Sequence, residues 1–399
     1  MENSRAFHTA DRVGSKKDNI DRCIFHIPYC LNTDAISGSQ VRPRKMMQAF
    51  YNIGYQVDIV AGYGAERKET IKYIKKNIEQ GVKYDFMYSE SSTMPTLLTE
   101  KHHFPVYPNL DFSFFSFCKK HNIPIGLFYR DIHWRFPHYK ENIKGLKYLL
   151  AQVAYRYDLK MYTKLIDIFY VPSEGVRKYI GYDSLTSRTK TLPPGSDYKI
   201  DTINSKNKLF INKINNDDRT ISLFYVGGIG TNYRLHQLCE AIQDLDYVSI
   251  VLCCREAEWQ QHIKEYEKYL TSRVSIVHVS GEKLEKYYNE AMIGLAFFER
   301  NEYVDMAMPV KVFEYLAHAI PIIAVKNTMT GKFVSENEIG WSIEHDTDAL
   351  RELLIRVHDD FASLFEKHKN TLQTLKQNTW EKRAEKVRDQ LVSCKNTLI

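Results

Sequence analysis

The 399-residue sequence has no apolar run approaching the ~20 residues of a membrane-spanning helix, and its opening MENSRAFHTADRVGSKKDNIDR lacks the apolar core of a signal peptide. A cytoplasmic location is therefore expected, with any membrane contact peripheral. Cysteine is scarce as well: the seven residues are odd in number and show neither CxxC nor Cys/His ligand spacing, which argues against a disulfide framework or a zinc site. They read as reduced thiols. Net charge is small, +6 from 55 basic and 49 acidic residues, so the surface is mixed and solvated and no nucleic acid partner is expected. Glycines do follow a strand-like run in YVGGIG, but without the GxGxxG spacing of a nicotinamide-binding turn. No internal repeat or low-complexity tract is present.

What is present is ample material for packed cores, with 44% hydrophobic and 13% aromatic residues, in a chain longer than one core usually supports. CIFHIPY, YQVDIVAGYG, YDFMYS, IPIGLFY and IDIFYVP read as strands, each near an amphipathic segment such as ETIKYIKKNIEQ or EGVRKYIG. Around Thr191 the texture changes to TLPPGSDYK and then to a polar stretch, read as an interdomain linker at 201–219. A second alternation follows, with ISLFYVGGIG, YVSIVLCC, RVSIVHV, IGLAFF and IPIIAV as strands. The expected fold is α/β: two tandem Rossmann-like, doubly wound domains, 1–200 and 220–378, facing a cleft. A last helix at 379–399 is expected to pack back toward the first domain. Ligands of such folds bind in the cleft at the carboxyl ends of the strands.

Within the second half, MPVKVFEYLAHAIPIIAV places Lys311 and Glu314 three residues apart in an otherwise apolar segment. If Pro309 opens a helix, both project from one face while Val310, Phe313, Leu316 and Ala317 are left to bury. Taken alone, the pair is better read as an i,i+3 surface ion pair.

This segment resembles the donor site of the retaining family 4 glycosyltransferases, enzymes of the glycosyltransferase B fold. Four further pieces stand in the matching order: SGSQVRPRKMMQAF after the first strand, YVPSEGVRKYIG with LPPGSD, YVGGIG at the start of the second domain, and the terminal TWEKRA. RDIHWRFPHY is similar to a segment of transferases that assemble bacterial capsule and exopolysaccharide. The resemblance implies a nucleotide-sugar donor, uridine diphosphate in type, and a glycan or polyprenyl-linked saccharide acceptor. It also implies transfer with retention and requires no metal or other cofactor. Glu314 would accept the ribose hydroxyls, and the diphosphate would lie over the amides of Ala307, Met308 and Val310 with Lys311 adding charge.

The sequence departs from the family pattern at the phosphate-binding loop, where Gly228 and Tyr233 replace the usual Arg and Lys. Arg234, Arg255 and Lys311 are the candidates to replace them. Met306 stands where many relatives carry a second glutamate, and Ala319 where they often carry a helix-ending glycine. Gly227 and Gly228 would let backbone approach a phosphate, as would Gly38 and Ser39 from the first domain. The loop after IPIGLF supplies Arg130, Asp131, His133 and Arg135: Asp131 or His133 to orient or deprotonate an acceptor hydroxyl, the arginines to meet phosphate. An Arg–Asp pair that merely ties the loop down is the plainer alternative. Losing the usual Arg and Lys also leaves room for a catalytically silent subunit that binds glycan or steadies an active partner. Finally, GLKYLLAQVAYRYDLKMYTKLIDIF mixes apolar, aromatic and basic residues, and could rest on a bilayer or form an ordinary domain helix.

Overall fold

The computed structural model describes residues 20–31, 38–230 and 233–397, and they form two parallel six-stranded sheets. The first holds β1 (Arg22–His26), β2 (Gln56–Val60), β3 (Phe86–Glu90), β4 (Ile125–Phe128), β5 (Ile168–Val171) and β6 (Thr189–Thr191) in the order 2-1-3-4-5-6. The second holds β7 (Ile221–Val226), β8 (Val248–Cys253), β9 (Val274–Val277), β10 (Ile293–Ala296), β11 (Ile322–Val325) and β12 (Gly340–Ile343) in the order 12-11-10-7-8-9. Inner strands such as Ile168–Val171 and Ile322–Val325 are buried at every residue, as helices on both faces of a parallel sheet require. In each sheet the order reverses at the first strand, β1 or β7, which opens a crevice at its carboxyl end.

The stretch read as a linker, 201–219, is mostly helical. Residues Ile200–Asn215 form a helix whose Ile203 and Phe210 enter the core of the second domain. Lys206, one turn from each in sequence, is 1% exposed and donates from Nζ to the carbonyls of Tyr288, Asn289 and Ala291 at 2.6–2.8 Å. Three acceptors for one ammonium hold the last turn of the helix Glu285–Glu290 against its neighbour. Burial nonetheless pulls the amine down to about 7.

The terminal helix, Trp380–Thr397, crosses back to the first domain, where Trp380, Ala384, Val387 and Leu391 join the core beneath β1 and β3. Its entry runs against the LPPGS segment. The Ser196 amide donates to the Asn378 carbonyl at 2.7 Å, and a Cβ on Gly195 would sit 2.6 Å from the Trp380 nitrogen. Only glycine lets the two chain passages lie that close.

Candidate functional site

The helix carrying Lys311 and Glu314 spans Val310–Ala317, with Pro309 one position earlier than expected, as its cap. It ends in a Schellman turn: the Ile320 amide donates to the Tyr315 carbonyl and the Ala319 amide to the Leu316 carbonyl, both at 3.0 Å. Ala319 takes φ +53°, so a residue with a Cβ sits in the left-handed region that glycine usually fills. Val312, Phe313, Tyr315 and Leu316 are fully buried, which fixes the opposite face toward the cleft.

On that face lies a cavity of about 650 Å³ lined by Val310, Lys311, Glu314, Gly227, Arg255 and His278, with Val41 contributed by the first domain. Lys311 and Glu314 do not pair with each other. Glu314 Oε2 accepts the Tyr288 hydroxyl at 2.9 Å, and Tyr288 in turn stacks on His318 at 4.2 Å between ring centroids. Burial raises the Glu314 carboxyl above the ordinary range, against the opposing pull of the Tyr288 hydroxyl. Lys311 is held differently. Its Nζ lies 4.0 Å from the Tyr225 ring centroid, 5.3 Å from Phe298 and 5.9 Å from Tyr233, and it is a buried amine with no hydrogen-bond partner among the described residues. Burial lowers it to about 7, with Glu314 pulling the other way.

The glycine loop explains how the amine fits. Gly227 follows β7 with φ +151°, and a Cβ there would lie 2.7 Å from Lys311 Nζ. Tyr233, where a cationic residue was the family expectation, closes the other side edge-on to Phe298. Of the other cations, Arg255 lines the cavity but pairs with Glu258, whose second oxygen accepts the Ile229 amide. Arg234 stands outside the cavity lining and is 3.9 Å from Glu299. The amide cradle is also smaller than expected. Ala307 donates to the Val304 carbonyl, which leaves Met308 and Val310, since Pro309 has no N–H.

Across the cleft the 130–135 loop divides. Arg130 turns to Glu90, a carboxylate at 0% exposure, at 3.1 Å, and also donates to the Tyr29 hydroxyl. Arg42 approaches the same carboxylate at 3.3 Å. Arg135 covers the Trp134 ring and donates to the Ile180 carbonyl. The expected arginine contribution to a phosphate site is thereby drawn off into the first domain's own framework. Asp131 accepts the Tyr303 hydroxyl, from the second domain, at 3.0 Å and the His133 amide at 2.9 Å, with His133 Nδ1 at 3.3 Å. Burial pushes its carboxyl up, but these partners outweigh it and hold it below the usual range. Asp131 thus bridges the domains, and the His133 ring stands beside it, edge-on to Tyr139 and Tyr155. Gly38 and Ser39 open the helix Gly38–Asn52; residues 36 and 37 of their loop lie outside the described residues.

Sequence reasoning missed Tyr225 in β7, Tyr288 and Tyr303 in the short helices Glu285–Glu290 and Glu302–Asp305, and Phe298 just after β10, which shape the site without a polar motif of their own. Among the described residues no group of three His, Cys, Asp or Glu side chains is gathered for a metal.

A family model described as the C-terminal domain of glucosyltransferase 3-like proteins matches residues 282–386, about a quarter of the chain and including Lys311 and Glu314. No curated protein matches the sequence. Among solved structures, HepE of Anabaena in complex with UDP superposes with a TM-score of 0.63 at 12% identity, over 93% of this chain and 100% of that one. A glycosyltransferase of Rickettsia africae gives 0.61 at 11% identity over 93% and 99%. The sucrose-phosphate synthase of Thermosynechococcus elongatus gives 0.59 at 15% identity over 94% and 100%. The chain has the GT-B fold. HepE is also known with UDP-glucose, at a TM-score of 0.59 and 12% identity.

Proposed function

We propose that the protein transfers a hexose-type sugar from a uridine diphosphate sugar to a glycan or lipid-linked saccharide acceptor in bacterial surface polysaccharide assembly, with retention and without a metal. One observation carries this reading: a buried lysine amine with no hydrogen-bond partner among the described residues and a glutamate with one oxygen engaged by Tyr288 share the cleft face of one helix above a cavity of about 650 Å³. An orphaned buried cation is costly unless an anion completes it, and a diphosphate is the anion that also brings a vicinal diol within reach of a carboxylate one turn on. Lys311, Arg255 and the amides of Met308 and Val310 would then neutralise the leaving group, the largest contribution to the rate. His133, steadied by Asp131, would meet the transferred sugar or the acceptor hydroxyl.

The replacement of the family's Arg and Lys by Gly228 and Tyr233 favours a second reading, a silent subunit without donor affinity. Calorimetry with UDP separates the two. The transferase reading expects binding that Glu314→Ala weakens at least tenfold, the loss of one to two charge-assisted hydrogen bonds of about 1.5–3 kcal/mol each, in a protein that stays folded although the Tyr288 hydroxyl loses its acceptor. Unchanged affinity in Glu314→Ala defeats the ribose role, and no UDP affinity in the native protein favours the silent subunit. A panel of nucleotide sugars, scored by thermal stabilisation, then identifies the donor.

A further inference from the structure

The helix Gly145–Leu165 turns an apolar stripe to solvent. Leu146, Leu149, Leu150 and Val153, at the i, i+3, i+4, i+7 spacing of one helical face, are 71%, 59%, 57% and 65% exposed. The same face continues with Arg156, Lys160 and Lys164, all exposed. Asp158 is the helix's one carboxylate, and it is buried on the opposite side. A solvent-facing surface that is apolar along one half, cationic along the other and free of acid complements an interface where acyl chains meet anionic headgroups.

We infer that this face docks the protein onto an anionic phospholipid surface. A second copy of the chain fits it less well. The stripe offers on the order of 400 Å² of apolar side chain, short of the roughly 800 Å² per partner of a stable interface, and a like copy brings more cations to the basic half. No helix of the described residues is long and apolar enough to cross a membrane, so contact is confined to one face. The buried side of the same helix holds the His133 loop: Gln152 donates to the Trp134 carbonyl at 2.8 Å, and Tyr155 stacks on Trp134 with ring centroids 4.9 Å apart. Docking would therefore bring the acceptor side of the cleft to the bilayer. The surface lies outside the donor cavity, and the inference stands or falls separately from sugar transfer.

Flotation of the full chain with phosphatidylglycerol/phosphatidylcholine vesicles, against phosphatidylcholine alone, tests it. Binding is expected to the anionic vesicles only. L149E/V153E should lower it at least tenfold, and R156Q/K160Q/K164Q by roughly a hundredfold, about fivefold per cation. These side chains are exposed, so circular dichroism and UDP calorimetry should match the native protein and exclude misfolding as the cause. Absence of binding, equal binding to neutral vesicles, or binding unmoved by both variants overturns the inference. So does a native dimer in sedimentation velocity that L149E/V153E dissolves without any vesicle binding, which would assign the face to a second copy.

Discussion

If Lys311 meets the diphosphate as proposed, donor binding responds to protons in a way that can be worked out in advance. Its folded value of about 7 lies well under the ~10.4 of an exposed lysine. Below pH 7 the folded and unfolded chains both hold the proton, and the fold bears a buried charge. Between about 7 and 10.4 the folded chain has released the proton while the unfolded chain keeps it, so the stability of the empty protein rises with pH across that window. Binding a diphosphate reverses the balance. The anion restores the proton, and UDP affinity should fall as pH rises above 7, by at most one order of magnitude per pH unit.

The assay is calorimetry at pH 8 in buffers of different ionisation enthalpy, which counts protons taken up. UDP is fully ionised there, its last phosphate proton leaving near pH 6. Net proton uptake should accompany UDP binding at pH 8 and be smaller at pH 7, since burial lowers the Lys311 amine to about 7. Lys311→Met should take up none and bind UDP roughly 10–150 times more weakly, the loss of a charged hydrogen bond of about 1.5–3 kcal/mol. Without ligand the same variant should gain about 1–3 kcal/mol at pH 6, since an unpaired buried cation gives way to an apolar chain of similar length. Equal proton uptake in native and variant protein, or equal affinity, would refute the assignment of Lys311 to the phosphates.

Two further predictions concern the frame that holds this helix. Lys206→Ala should destabilise the second domain by about 2–4 kcal/mol in urea unfolding, because three carbonyls lose their donor together with the buried stem; Lys206→Met, which keeps the stem, should recover part of that loss. At Ala319, which is 0% exposed, glycine relieves about 1–2 kcal/mol of left-handed strain but gives up a buried methyl and adds unfolded-chain entropy of similar total size. Ala319→Gly should thus shift the melting temperature little, whereas Ala319→Val should lower it clearly.

Much of this fold is legible in the sequence because the inner strands are unbroken apolar runs, and two of the four edge strands, β6 and β12, escape notice for the matching reason. Thr189–Thr191 and Gly340–Ile343 are short and only partly buried, so neither produces such a run. The helix at 200–215 is hidden by a lysine at a core position: Ile203 and Phe210 alone are too sparse a pattern, and nothing local reveals that Lys206 is buried on three carbonyls. Arg130 misled in the opposite sense. A loop dense in charge suggested chemistry, yet the partner of Arg130 is Glu90, and an acid ending the wholly buried strand FMYSE was the available sign that a cation must come to meet it. Lys311 and Glu314 were visible as a polar pair in a greasy segment, but their partners, Tyr225, Tyr288 and Phe298, converge only through the sheet.

That convergence bears on the missing loop cations. A cationic residue at position 233 would sit near Lys311 Nζ and repel it; the tyrosine found there instead presents a ring 5.9 Å away. Together with Tyr225 and Phe298 it removes water from the amine, which lowers its charge while the cavity is empty and strengthens its attraction once a phosphate arrives. Lys311 would then supply charge on demand beside the fixed charge of Arg255, and the missing loop cations become a consequence of that arrangement.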